Sequence, residues 1–332
     1  MVEPNRVKFP HGPTWIYRKV LSMVAGGVCS RRSERTGETS PVAHIAIVGP
    51  GAVGGVMAAW LESTRRHTVL LCARRPMTEL TVEVNAQELV THPAVVTTPD
   101  QTVAVDWVLI TTKAYDTAGA ALWLPGLSGR KAPVAILQNG VEHRERFAPF
   151  VAEDRLVPVM VDCPAERSSP QRIRQRGRAK LVVTDDAYGR EFKALFDGTE
   201  IDVTLTADFK SAVWRKLCMN AVGALTAILL KPVTVMHDER LGDVARELVR
   251  ECIAVGRAEG AVLDDALMNT VLASYRAAPP DSMNSLHADR AAGRPMEVDA
   301  RNGAIVRIGR KHGIATPYNQ MVVALLEAAA RS

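Results

Sequence analysis

From His44 onward, short apolar runs alternate with stretches of looser, helical spacing. Ile45-Ala46-Ile47-Val48 is unbroken apolar sequence, the pattern of a short strand buried on both faces. A glycine-rich turn at 49–54 leads from it into helical character over 56–63. Strand-like runs follow at 67–73, 106–110 and 134–137, with helical or loop sequence between them. This alternation predicts a parallel sheet covered on both faces. Shorter runs within 157–206, among them Lys180-Leu181-Val182-Val183, are expected to finish that sheet. After Asp208 the texture changes: 212–230, 238–260, 264–275 and 295–312 read as helices, Gly313 as a stop, and Pro317 as the start of one more. The pattern therefore divides the chain into an α/β domain over 44–207 and an all-helical domain over 208–332. Residues 1–43 carry no clear period, and 30–41 has the Arg-, Ser-, Glu- and Thr-rich composition of a solvated, flexible extension. An apolar run at 20–28 behind Arg18 and Lys19 has the outline of a signal peptide, but two glycines interrupt it and no convincing cleavage site follows.

Composition narrows the function classes. At 332 residues the chain exceeds the size at which one hydrophobic core usually stops growing, in keeping with two domains. Hydrophobic residues at 47% and charged residues at 23% match a folded globular protein, and no run approaches the length of a membrane span, so no membrane association is expected. The net charge of +5 comes from basic residues spread along the chain, and aromatics are only 5%, which points to mild anion attraction and not to nucleic acid. Cys29, Cys72, Cys163, Cys218 and Cys252 are far apart and odd in number, which fits reduced thiols in a cytoplasm and no metal site.

Gly49-Pro50-Gly51-Ala52-Val53-Gly54 fits G-x-G-x-x-G in the context that motif requires, after a strand and before a helix. Its chemistry is that of the main chain. Gly49 permits a tight turn, Gly51 lets the backbone approach a pyrophosphate, and Gly54 lets the helix pack on the strand, while the helix N-terminus faces the phosphates. This predicts a Rossmann-type, doubly wound sheet. At the end of the second strand, where an NAD enzyme usually carries an acid for the ribose, stand Arg74 and Arg75, suited to the 2′-phosphate of NADPH, although two solvated charges would look the same. Lys113 and Gln138-Asn139-Gly140 follow later strands, at the end of the sheet where ligands sit, and Asn-Gly is equally a turn pair. In Trp214-Arg215-Lys216-Leu217-Cys218-Met219-Asn220, Lys216 and Asn220 share a helix face, and snorkelling is the plain alternative for the lysine. Glu297 falls in the expected first turn of a helix, where capping explains it.

In this order, with Thr112-Lys113-Ala114-Tyr115, Leu225-Thr226-Ala227-Ile228, Asn284-Ser285-Leu286 and Glu297-Val298-Asp299, these segments resemble the ketopantoate reductase (2-dehydropantoate 2-reductase) family from Ile45 to the C-terminus. The resemblance implies a helical domain like that of 6-phosphogluconate dehydrogenase and NADPH-dependent reduction of ketopantoate to pantoate, in pantothenate biosynthesis. It implies Lys216 as general acid, Asn220 and Ser285 on substrate, Asn139 on both ligands, Lys113 on cofactor, and Glu297 on the cofactor or near the catalytic lysine. The expected partner is a small 2-oxo acid, with a homodimer left open. The family's second Asn, one turn after the first, is replaced here by Gly223 and Ala224, and an Asn-Gly pair beyond the helix by Val233-Thr234. A less polar pocket is therefore expected. Reduction of another 2-oxo acid or related carbonyl compound, and non-catalytic NADPH binding, are the other readings.

Overall fold

The computed structural model describes residues 42–85, 87–129 and 131–330; the apolar run at 20–28, the solvated stretch after it and Cys29 lie outside the described residues. Strand β1 (His44–Val48) runs through the glycine turn into helix α1 (Ala52–Ser63). β2 (Thr68–Cys72) pairs parallel with β1, Ile45 opposite Val69 and Val48 opposite Cys72. The chain next forms an antiparallel hairpin, β3 (Leu80–Val84) and β4 (Gln87–Thr91), where the sequence suggested helix or loop. β5 (Ala94–Val96), β6 (Trp107–Ile110), the short helices α2 (Thr117–Ala121) and α3 (Leu124–Leu127), β7 (Val134–Ile136), α4 (His143–Phe147) and β8 (Leu156–Pro158) follow. Six strands make a wholly parallel sheet in the order β5-β2-β1-β6-β7-β8. The connection reverses direction between β1 and β6, and at such a switch point the carboxyl ends of the strands leave a crevice for a ligand. Alternation does the packing. Ile45, Ile47, Leu71 and Leu109 face α1, while Ala46, Val48, Leu70 and Ile110 face Ala120, Leu124 and Phe147 on the other side.

The run at 180–183 does not finish this sheet. β12 (Lys180–Thr184) lies between β9 (Met160–Asp162) and β13 (Asp202–Thr206) in a separate three-stranded sheet. Leu181 and Val183 are buried while Lys180 is exposed, the mark of a sheet buried on one face, whereas strands inside the parallel sheet are buried on both. β10 (Ala165–Ser169) and β11 (Arg172–Gln175) join β3 and β4 in a four-stranded sheet that packs on α1, so part of the cover expected from helices is itself a sheet. Helix α5 (Ala187–Leu195) packs beside β13.

From Phe209 the described chain is helical. Asp208 caps α6 (Phe209–Leu229) by accepting from the Ser211 amide at 3.0 Å. Long and apolar enough to cross a membrane, α6 is instead mostly buried among α7 (Glu239–Ala258), α8 (Leu267–Ala277), α9 (Ser285–Ala291), α10 (Ala304–Lys311) and α11 (Pro317–Ala329). Two readings need correction. No helix was expected at α9, which Asn284 caps through the Leu286 and His287 amides. The helix expected at 295–312 starts late: Pro295, Met296 and Glu297 are not helical, and a π-turn, Asp299–Gly303, leads into α10. Glu297 therefore caps no helix. Its carboxylate reaches across to the α/β part.

Candidate active site

The glycine turn contains two kinds of glycine. Gly49 has φ +78°, and a Cβ there would lie 2.4 Å from Thr112 Cγ2; a Cβ on Gly54 would lie 2.2 Å from Thr111 Oγ1. Packing of the protein on itself requires both. A Cβ on Gly51 would come no nearer than 3.8 Å to anything, the closest atom being the Gly49 carbonyl oxygen. That space is open. No side chain caps α1 at Gly51, so its first amides and its positive dipole end face the crevice. Arg74 and Arg75 stand exposed at the end of β2, with no ion pair among the described residues. These features fit a dinucleotide. Arg167 of β10, which local sequence did not single out, donates to the Pro50 carbonyl, and burial pulls its guanidinium below its ordinary value.

Beyond β6 and β7 the cleft is built from side chains. Lys113 Nζ lies 2.8 Å from Asp289 Oδ2 and 3.2 Å from Glu297 Oε2. Glu297, only 3% exposed, also accepts from the Ala114 amide at 2.9 Å and from Asn139 Nδ2 at 2.9 Å. Burial pushes the Glu297 carboxyl up, but Lys113, Arg301, the Ala114 amide and Asn139 outweigh it and hold the group below the usual carboxylate range. For Lys113, burial pulls the ammonium down, and Glu297 and Asp289 more than reverse it. The Glu297 contact sets the Asn139 side chain, whose Oδ1 accepts from Asn220 Nδ2 at 3.4 Å. His143 supports the same loop from below: its Nε2 is 2.9 Å from the Gln138 carbonyl, and burial pushes the imidazole down to about 4.

Lys216 lines this cleft with Gln138, Asn139, Gly140, Met160 and Asn220. Its ammonium sits 2.5 Å from Oδ1 of Asp162, a half-exposed carboxylate at the end of β9. Ser285 accepts from Arg301 at 2.6 Å. Arg301, from the π-turn, is 2% exposed, its Nε has no partner, and among the described residues no carboxylate pairs with it. Glu297 is joined to Lys113 and Asn139, and no hydrogen bond joins it to Lys216.

The pocket expected to be less polar at Gly223 and Ala224 is filled by the protein. A Cβ on Gly223 would lie 2.7 Å from Tyr275 Oη and 2.9 Å from Asn284 Nδ2, and Ala224 is fully buried. Asn284 donates to the Gly223 carbonyl and to Thr226 Oγ1, and Tyr275 donates to the Met219 carbonyl.

With this geometry, residues 45–187 match the family described as ketopantoate reductase PanE/ApbA, and residues 208–330 match its C-terminal part. The chain belongs to the ketopantoate reductase family. A 2-dehydropantoate 2-reductase of Caulobacter vibrioides is 54% identical over 286 residues, spanning 86% of this chain and 99% of the relative. The crystal structure of a PanE/ApbA family ketopantoate reductase from Ralstonia eutropha superimposes with a TM-score of 0.80 at 30% identity, covering 87% of this chain and 98% of that one. A dimeric ketopantoate reductase from Staphylococcus aureus gives 0.78 at 25% identity, covering 87% and 99%. The chain is thus an oxidoreductase acting on a CH–OH group, in an NAD(P)-dependent family. Asp162, Asp289, Arg167 and Arg301, which contact Lys216, Lys113, Pro50 and Ser285, are the residues that sequence reasoning missed. Arg301 had a signal: it lies on the face of Ala304, Ile305 and Ile308, an arginine at an apolar position of an amphipathic pattern.

Proposed function

We propose that this protein reduces ketopantoate (2-dehydropantoate) to pantoate with NADPH, as a step of pantothenate biosynthesis. The observation that carries the reading is the convergence of Lys216, Asn139 and Asn220 on one cleft beside the open glycine turn. NADPH, when bound, supplies the hydride. Gly51 and the α1 amides hold its pyrophosphate, Arg74 and Arg75 its 2′-phosphate, and Lys113, Asn139 and Glu297 orient its reactive end. Hydride adds to the carbonyl carbon, the C=O π pair moves onto oxygen, and Lys216 Nζ gives that oxygen a proton, ending neutral until solvent reprotonates it. For this the ammonium exchanges Asp162 for the carbonyl oxygen. Asn220 and Ser285 position the substrate. The boundary at 208 divides an α/β part that holds most of the dinucleotide from a helical part that brings Lys216, Asn220, Ser285 and Glu297 to the cleft; the helical part also carries the contact of a homodimer, the Staphylococcus aureus relative being dimeric. A cytoplasmic location suits a small-molecule reductase with reduced cysteines.

The test is NADPH oxidation by the purified protein with ketopantoate and a panel of other 2-oxo acids. The proposal expects the highest kcat/KM with ketopantoate. A better substrate elsewhere in the panel would replace the substrate and keep the reaction; NADPH binding without turnover on any carbonyl would remove the enzymatic reading.

A further inference from the structure

We propose that Arg301 is the carboxylate anchor of the substrate site, its guanidinium held by Ser285 so that its free donors take the 2-oxo acid's carboxylate. The inference rests on the reading of the protein as a 2-oxo acid reductase and deepens it.

A guanidinium buried to 2% exposure with no carboxylate paired to it among the described residues is costly to fold around, since charges leave water only when compensated. The cost makes sense if the missing anion is the ligand. The nearby carboxylates are already engaged: Glu297 holds Lys113, the Ala114 amide and Asn139, and Asp289 holds Lys113 and Arg294. Arg294 pairs with Asp289 from the exposed side, so of the cations in this cluster Arg301 is the one with a buried donor, its Nε, left without a partner. The placement also suits a substrate. Arg301 donates to Ser285 Oγ, and Ala300, its neighbour, presents its carbonyl 2.8 Å from where a Cβ of Gly140 would stand, so the π-turn packs directly on the loop that carries Asn139. Arginine's planar fork matches a carboxylate bidentately, which neither a serine nor an asparagine can do. The anchor comes from the π-turn, while the wall of α6 at Gly223 is closed by Tyr275 and Asn284.

The experiment compares wild type, Arg301→Gln and Arg301→Lys on ketopantoate and on its neutral methyl ester, with the Kd for NADPH and the Tm measured alongside. Arg301→Gln should lose at least a hundredfold in kcat/KM on the acid, mainly through KM, and less than about threefold on the ester, with NADPH affinity unchanged. Arg301→Lys, which keeps the charge and loses the fork, should recover at least tenfold of that loss, and it serves as the test if the Gln variant does not fold. Equal losses on acid and ester, or an unchanged KM for the acid, would overturn the anchor and leave the reductase reading standing. If wild type does not turn over ketopantoate, thermal shift with pyruvate and 2-oxoisovalerate in the presence of NADP+ decides. Stabilisation lost in Arg301→Gln keeps the anchor without the substrate, and no stabilisation of wild type removes both.

Discussion

The glycine turn and the charged cluster around Glu297 bound the same cleft and are built by opposite means. In the turn, backbone does the work: six consecutive residues, a strand before and a helix after, with side chains that matter mainly by being absent. In the cluster, side chains do the work, and the chain brings them from far apart; Lys113 and Glu297 are separated by 184 positions. On the proposed reading, the difference lies in how each ligand would be met: an invariant pyrophosphate by amides and a dipole, which every sequence has, and a particular acid by charges that must be placed one at a time.

Substitutions should separate the two regions. The largest effect is expected from Lys216→Ala, which removes the partner of the developing oxyanion, worth about 3 kcal/mol or a hundredfold in kcat, while NADPH affinity stays unchanged. Steady-state kinetics with a fluorescence titration of NADPH checks this, and a parallel loss of cofactor affinity would join regions that the comparison keeps apart. The support under Asn139 should be pH-sensitive. Folding holds His143 at about 4 against its ordinary 6.5, so its stability contribution is complete above 6.5 and is lost as pH falls toward 4, about 3 kcal/mol in all. Urea midpoints across that window should fall in wild type more steeply than in His143→Gln, and matching slopes would assign the acid sensitivity elsewhere.

Within the turn itself, Gly54→Ala should lower stability by about 2 kcal/mol, because the new methyl displaces Thr111 from its bonds to the Val48 and Gly49 carbonyls. Gly51→Ala should leave the Tm alone and weaken NADPH binding; a Tm loss equal to that of Gly54→Ala would mean that protein packing, and not ligand, requires both. The smallest effect is expected from replacing Arg74 and Arg75 together by Ala, raising KM for NADPH roughly tenfold, about 1.4 kcal/mol, with KM for NADH nearly constant. Equal shifts for the two cofactors would take the 2′-phosphate away from these arginines.

What the sequence determined by itself is whatever depends on neighbours along the chain. Apolar runs at 45–48 and 107–110 are buried strands because no polar residue interrupts them, and Gly49 to Gly54 between strand and helix reads directly as a turn. The long apolar stretch of α6 was legible for the same reason, and with it the shared face of Lys216 and Asn220. Tertiary structure decided the rest. Lys180 to Val183 has strand sequence, yet which sheet it enters depends on β9 and β13 as partners, and pairing is not written locally. Glu297 has the sequence of a capping residue and becomes a buried bridge only because the helical part brings it against Lys113, Ala114 and Asn139. At Gly223 the sequence shows a small residue and suggests space, but Tyr275 and Asn284 arrive from elsewhere to fill it. Arg301 was not singled out in the sequence, and its burial without a carboxylate partner exists only once the π-turn packs against Gly140 and Ser285, since burial of a charge is a property of everything around it and not of the residues beside it.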